Sequence, residues 1–278
     1  MGREANPGRA SGVNPSDSSR LSHSMPSASL RIALVGTGRM GQAVEAVAVE
    51  RGHDVVARFD ADHPILDARD ASALNGADVC VDFSVPDVAL DQIHRYAFWG
   101  VDAVVGTTGW TEHLDRVREW VDEGQSGLLW APNFSLGLAL VSRALAGLLP
   151  LLDRLDEYDV AVHEAHHTGK LDSPSGTALR LAEELLAGLG RKSRVETETQ
   201  HGAIDADALH VTSQRVGRVL GEHTVTLDSD VDQILVVHTA KSRRAFALGA
   251  VRAAEWVHGR QGLFTLEDML DEGTEPAD

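Results

Sequence analysis

Between Ser29 and Asp60 the sequence leaves few folds open. Ser29-Leu-Arg-Ile-Ala-Leu-Val35 is a short apolar run with strand character, and Gly36-Thr-Gly-Arg-Met-Gly41 follows at once. Gln42 to Glu50 carries an apolar helical face, Gly52 closes it, and His53 to Phe59 reads as a second strand ending at Asp60. Strand, Gly-x-Gly-x-x-Gly, helix, strand and acid in this order form a dinucleotide-binding unit. Gly36 allows the tight turn. Gly38 lets the backbone approach a pyrophosphate, and Gly41 lets the helix pack closely on the strand. Arg39 and Met40 lie inside the motif and belong to the same cofactor side. Asp60 can accept hydrogen bonds from ribose hydroxyls. Ala61 adds no cation, and Asp60 and Asp62 would repel a 2′-phosphate, so NADH is favoured. Arg39 and Arg58 lie near enough to offset part of that repulsion, so NADPH is tolerated.

The pattern repeats down the chain. Asp67–Leu74 reads as a short connecting helix and Ala77–Phe83 as a third strand. Pro86 stands near the start of a helix over Asp87–Tyr96. Val101–Gly109 is a fourth strand, whose small-residue loop places Gly106, Thr107 and Thr108 near the nicotinamide. Thr111 is a cap candidate for a helix reaching Val121, and Gly127–Pro132 is a fifth strand. Strands alternating with helices argue a parallel sheet. A domain change is expected near Asn133, followed by an apolar helix over Leu138–Leu149 and a strand over Arg154–Val162. Weaker strands are expected at Val195–Gln200 and Leu209–Val216, and clearer ones at Glu222–Leu227 and Gln233–His238. Ala245–His258 returns to helix, and Gly262–Leu270 is a closing segment placed to pack back on the first domain. The expected class is α/β: a Rossmann-like parallel-sheet nucleotide-binding domain (30–132 and 245–278) plus an α+β substrate and oligomerisation domain with a mixed sheet (133–244).

The chain has 42 acidic residues against 25 Lys and Arg, a formal charge of −17. Such a surface argues against nonspecific binding to nucleic acid or an anionic membrane. Cys80 is the only cysteine, in the apolar run Ala77-Asp-Val-Cys-Val-Asp82, and reads as a buried, inert thiol. With no intrachain disulfide possible and no apolar stretch near the length of a membrane span, a cytoplasmic protein is expected. Residues 1–29 are rich in Ser, Pro, Asn and Gly, lack the apolar core of a secretory signal and read as a disordered tail. Met25, just before the first strand, is an alternative start.

The second dense stretch is Glu164-Ala-His-His-Thr-Gly-Lys-Leu-Asp-Ser-Pro-Ser-Gly-Thr-Ala-Leu179. It lies between an alternating run, Tyr158–His163, and a helical run, Ala178–Leu186, and so reads as a loop. Pro174, Ser175, Gly176 and Thr177 have the composition of a helix N-terminus, whose free N–H groups attract anions. Lys170 adds a cation, and His166 and His167 can exchange protons near neutral pH. Together they suggest a site for a small anionic substrate that undergoes proton transfer. His163-Glu164-Ala-His-His167 also satisfies the zinc-protease pattern HExxH. That motif works only on a helix, and here the chain alternates as a strand before Gly169 and Pro174. No metal site is expected.

Taken together, the motifs resemble the 4-hydroxy-tetrahydrodipicolinate reductase (dihydrodipicolinate reductase) family. The matching segments are Gly36–Gly41, Asp82-Phe-Ser-Val-Pro86, Gly106-Thr-Thr-Gly109 and Ala131-Pro-Asn-Phe-Ser-Leu-Gly137. They continue with Glu164–Ala178, Gly221-Glu-His-Thr224, His238–Ala250 and Gly262-Leu-Phe264. The resemblance implies an NAD(P)H-dependent reduction in diaminopimelate and lysine biosynthesis, acting on a small dicarboxylate in a homotetramer. By matching, His166 is the general acid/base and Lys170 the catalytic lysine. His167, Ser175, Gly176, Thr177 and Arg243 bind substrate. Phe83 and the run Ala131, Pro132, Asn133 and Phe134 join the cofactor side. The alternatives are another reductase of a small carboxylated substrate, or a dinucleotide sensor without catalysis. The first would not need a His-His-x-x-Lys loop joined to Ser-Gly-Thr, and intact His166, His167, Lys170 and Thr177 argue against the second.

Overall fold

The computed structural model describes residues 29–272. The expected tail and the alternative start at Met25 fall on or before residue 29, almost wholly outside the described residues.

Six parallel strands form the first sheet, in the order β11-β5-β4-β3-β1-β2. They are β1 (Arg31–Val35), β2 (Asp54–Phe59), β3 (Val79–Asp82), β4 (Asp102–Val105), β5 (Gly127–Trp130) and β11 (Gly262–Thr265). Every residue of β3 and β4 is buried, as expected of strands covered on both faces. Helices α1 (Arg39–Glu50) and α6 (Arg244–Val257) build the core on one face, around Val44, Val47, Ala250 and Ala254. Helices α2 (Pro86–Phe98) and α3 (Leu114–Gly124) build it on the other, around Ile93, Tyr96, Val117 and Val121. Burial pushes the thiol pKa of Cys80 up, between these layers.

The strand order reverses beside β1, and there the glycine motif meets the third strand. Gly36 has φ +87°, and a β-carbon on it would lie 2.4 Å from the Phe83 carbonyl oxygen. A β-carbon on Gly41 would lie 2.0 Å from the Gly36 carbonyl oxygen. The turn therefore tolerates no side chain at either position.

The second sheet has the order β10-β9-β6-β8-β7. Its strands are β6 (Asp159–His166), β7 (Arg194–Glu196), β8 (Ala208–Arg215), β9 (Glu222–Asp228) and β10 (Gln233–Thr239). β6 pairs parallel with β8 and antiparallel with β9, so the sheet is mixed. Helices α4 (Leu136–Leu152) and α5 (Gly176–Gly188) cover one face through Leu138, Leu145, Leu181 and Leu185. On β10, Leu235 and Val237 stay about half exposed, while Val236 packs toward the helical side.

The chain then returns to the first sheet. Gly249 of α6 packs so tightly on the turn before α4 that a β-carbon there would sit 1.9 Å from the Phe134 carbonyl oxygen. β11 pairs with β5, and a capped last helix, α7 (Leu266–Asp271), closes the described chain.

Several local expectations are corrected. Asp67–Leu74 forms two separate 3-10 turns, Ile65–Asp67 and Ala71–Leu74, instead of one helix. Thr111 starts a 3-10 turn and caps nothing; α3 begins at Leu114. β7 is three residues long, ending at Glu196. The largest change is in β6. Arg154–Tyr158 are not strand, and the strand runs on through Glu164 to His166, because β8 and β9 pair with it on both sides. Two residues expected in a loop, Glu164 and His166, are thereby fixed on a central strand.

Candidate active site

The nucleotide end is made largely of backbone. Gly38 is the N-cap of α1 and supplies no side-chain bond to the helix, so the first N–H groups stay open toward solvent. Such a terminus takes an anionic phosphate readily. Asp60 sits just past β2. Its carboxylate accepts from the backbone N–H of Asp62 (3.1 Å) and His63 (3.0 Å) and from the Thr37 hydroxyl (3.2 Å). The His63 N–H bond leads the interactions that hold its pKa below the ordinary value. A cavity of about 610 Å³ opens from the glycine turn past Asp60. Its far wall is apolar: Pro64, Ile65, Leu66, Val85 and Val88 form a slot fitted to a flat heterocycle. Arg58 is turned away and bonded to Glu45 of α1, and Arg39 is exposed at the helix start. The glycine cradle, open helix terminus, ribose acceptor and apolar slot fit an adenine dinucleotide.

Phe83 and Phe134 meet edge to face, with ring centroids 5.8 Å apart. Together with Met40, Gly106, Pro132, Asn133, Leu220, Arg243 and Phe246 they line a second cavity of about 280 Å³. Gly106 is required there, since a β-carbon would fall 2.2 Å from the Phe83 ring. Ala131 is buried and donates its N–H to the Val105 carbonyl. Thr107 does not face this space. Its buried hydroxyl donates to Asp82 (3.0 Å), which also accepts from Tyr96 (2.7 Å) and from the Ser84 N–H (2.8 Å). Burial raises the Asp82 pKa despite these bonds. Thr107 thus braces the loop, and Thr108 reaches the third cavity instead.

That third cavity, about 390 Å³, is lined by Thr108, Pro132, Asn133, Lys170, Asp172, Gly176, Thr177 and Arg180. It shares Pro132 and Asn133 with the second, so the two are neighbouring parts of one cleft. The Asn133 amide donates to the Thr177 hydroxyl at 3.2 Å. Asp172 lies 2.8 Å from the Lys170 ammonium and accepts from the Gly176 N–H at 3.3 Å. A carboxylate of the chain itself therefore rests on two of the donors that an anionic ligand would use.

The other residues expected at the site stand elsewhere. The Ser175 hydroxyl is buried, caps α5 at the Ala178 N–H (3.2 Å) and meets His223 Nε2 at 3.3 Å. His167 is half-buried, with its ring close to Gly169. Arg243, the residue before α6, lines the second cavity. His166 is buried, edge-on to His223 with centroids 5.2 Å apart. His223 in turn stacks on His238 at 6.4 Å. Burial lowers the His166 pKa, which the Glu164 carboxylate only partly offsets. Burial takes His223 down to about 4.

Sequence reasoning gave Glu164 no role of its own, and the structure makes it a hub. It is fully buried on the same strand face as Val160, Val162 and His166. His166 Nδ1 bonds to one carboxylate oxygen. Arg215 of β8 grips both oxygens, at 3.0 and 2.8 Å, and the Ser175 N–H donates at 3.2 Å. Burial alone would raise the pKa of Glu164; Arg215 first, then His166, hold it at about 2. The signal in the sequence was the alternation itself, which continues three residues past His163, to His166. Of the two HExxH histidines, His163 bonds to the Thr212 hydroxyl on β8, while the His167 ring lies beside Gly169 in the loop after β6. Among the described residues no group of three or more His, Cys, Asp or Glu is arranged to hold a metal ion.

A parallel-sheet dinucleotide domain joined across a cleft to a mixed-sheet domain carrying cations and a helix N-terminus defines a two-domain nicotinamide-dependent oxidoreductase. The family described as "Dihydrodipicolinate reductase, N-terminus" matches residues 30–134, and "Dihydrodipicolinate reductase, C-terminus" matches residues 137–270. The chain belongs to the dihydrodipicolinate reductase family. It is similar to the 4-hydroxy-tetrahydrodipicolinate reductase of Christiangramia forsetii, 39% identical over 87% of this chain and 98% of that relative. The Neisseria meningitidis protein of the same name is 34% identical over 87% of this chain and 97% of its own length. Among solved structures, a dipicolinate-bound dihydrodipicolinate reductase from Paenisporosarcina sp. TG-14 shares the fold with a TM-score of 0.70. That match has 24% identity and covers 87% of this chain and 99% of that one.

Proposed function

We propose that this chain reduces (2S,4S)-4-hydroxy-2,3,4,5-tetrahydrodipicolinate to (S)-2,3,4,5-tetrahydrodipicolinate in diaminopimelate and lysine biosynthesis. One hydride and one proton enter and one water leaves. The observation that carries the reading is the shared wall of Pro132 and Asn133, which puts the cavity holding Lys170, Gly176 and Thr177 directly beside the one ending the glycine cleft. When bound, the nicotinamide nucleotide supplies the hydride. The protein binds, orients and moves protons. Gly176 and Thr177, at the start of α5, hold one substrate carboxylate, with Ser175 capping the helix behind them. His167 and Arg243 support the rest of the dianion. Lys170 donates a proton toward the ring nitrogen or polarises it, and His166 is the general acid/base.

NADH is the preferred reductant and NADPH is tolerated. Asp60 offers acceptors to a ribose, and the Arg58 cation is already engaged by Glu45. Residues 30–132 with the segment from 245 carry the cofactor, and 133–244 carry substrate and the oligomer contacts. The half-exposed Leu235 and Val237 on the helix-free face of the second sheet support a homotetramer assembled through that face. Among the described residues no helix is long and apolar enough to cross a membrane, and a cytoplasmic location is proposed.

The test is to condense aspartate semialdehyde and pyruvate with the preceding pathway enzyme and follow oxidation of NADH and NADPH separately. Oxidation of both, faster with NADH, is expected. No oxidation of either would remove the assignment. Light scattering of the wild-type protein and of Leu235→Glu reads the assembly; a tetramer that dissociates in the variant is expected.

A further inference from the structure

The buried carboxylate of Glu164 lines none of the three cavities described above, yet it touches both the proton-transfer histidine and the helix start proposed for the substrate. It accepts from His166 Nδ1, the group read above as the acid/base, and from the N–H of Ser175, the cap of the helix whose start holds the substrate carboxylate. Arg215 reaches the same carboxylate from β8 with both terminal nitrogens. Two of these contacts leave the positions of the donors no freedom: Glu164 and His166 share one strand face, and the β6–β8 register places His166 directly beside Arg215.

We propose that Glu164 is the positioning residue that fixes the tautomer of His166 and registers its ring against the anion-binding helix start. The inference rests on the reading of His166 as the proton-transfer group. A carboxylate with no proton can only accept, so the hydrogen between the two residues sits on His166 Nδ1. The lone pair of the neutral ring is therefore on Nε2, and Nε2 is the atom that takes or returns the proton. A second feature agrees. Nε2 faces Gly221, and a β-carbon at that position would lie 3.0 Å from it. A glycine just before β9 places no side chain over this nitrogen, while Nδ1 is tied to Glu164.

Charges reach His166 from each element packed on it: Glu164 beside it on β6, Arg215 on β8, Lys170 on the following loop and His223 on β9. The Glu164 charge favours the protonated ring, and Arg215 and Lys170 oppose it. Removing Glu164 and removing Arg215 therefore have opposite consequences for His166, which a purely structural role would not produce.

The first experiment needs no turnover. Imidazole ¹⁵N spectra of the uniformly labelled wild-type protein, assigned by loss of the signals in His166→Gln, should show neutral His166 carrying its proton on Nδ1. A proton on Nε2 overturns the proposal while leaving the assigned reaction intact. The second is a cycle of kinetic measurements. Glu164→Gln should lower kcat by about 10²-fold with the KM for NADH unchanged, and should move the limb of the pH profile that reports His166 to lower pH. Arg215→Gln, which tests against simple loss of the buried pair, should cost less in kcat and move the same limb upward. In the His166→Gln background, Glu164→Gln should add almost nothing. An equal loss in both backgrounds, or limbs that move in the same direction, would refute a role exerted through His166.

Discussion

The two walls of the cleft are built by opposite means. On the side proposed for the nucleotide the wall is made of peptide N–H groups and glycines: the Gly36 turn, the start of α1, and the gap at Gly106 that admits the Phe83 ring. Side chains there are few, and Asp60 is the one with a directed polar role. On the side proposed for the substrate the groups are charged side chains backed by a buried network, with Glu164, Arg215, His166 and Ser175 linked through one carboxylate. A backbone site fails when a β-carbon is added. A side-chain site fails when a charge is removed. The first is sensitive to shape and the second to protonation.

The comparison is broken most severely on the charged side. Lys170→Ala should lower kcat by about 10²–10⁴ with NADH binding preserved, since the change removes a proton donor and leaves the glycine turn untouched. Stopped-flow turnover and NADH titration read the two effects separately. On the shape side, Gly36→Ala should weaken NADH binding about tenfold or more, as the left-handed backbone and the Phe83 carbonyl both resist the methyl group. Dipicolinate, a planar dianion related to the substrate, should bind this variant as it binds the wild type, measured by calorimetry. Equal damage to both ligands would show that the walls are not independent.

Smaller changes sharpen the contrast. Ala61→Arg places a cation beside Asp60 and should shift the ratio of kcat/KM toward NADPH by about tenfold. Steady-state rates with the two cofactors check it. Asp172→Asn removes the carboxylate resting on Lys170 and Gly176. Because that ion pair is half exposed, dipicolinate should bind only a few-fold more tightly, in keeping with about 0.2–1 kcal/mol for such a pair. Weaker binding would mean that Asp172 positions Lys170 instead of competing for it.

A last change is read in stability and leaves the cleft's ligands aside. His223 is held by burial near pKa 4 against an ordinary 6.5. As pH falls the unfolded chain takes up this proton near 6.5 and the folded chain does so only near 4. Stability present above pH 6.5 is therefore lost between 6.5 and 4, by roughly 1–3 kcal/mol, or several °C in Tm. His223→Gln should flatten the Tm curve over that window relative to the wild type, as read by circular dichroism.

The spacing of Gly36, Gly38, Gly41 and Asp60 announced the parallel sheet, because each position answers to a local backbone demand that a short stretch of sequence displays. The cations and small residues of Lys170–Thr177 suggested the proposed anion site for the same reason, since a helix start is local chemistry. What only the tertiary structure decided is which of those residues share a space. β6 continues three residues further than a local reading of Glu164-Ala-His-His suggests, because pairing with β8 and β9 holds it extended. That pairing carries Arg215 to a residue 51 positions away and buries Glu164 under His166. It also turns Ser175 inward, and in the other domain Thr107 is turned inward in the same way onto Asp82. Strand register between distant segments is a property of the whole sheet and leaves no mark within any one of them, so the network behind the site appears only once the chain is folded.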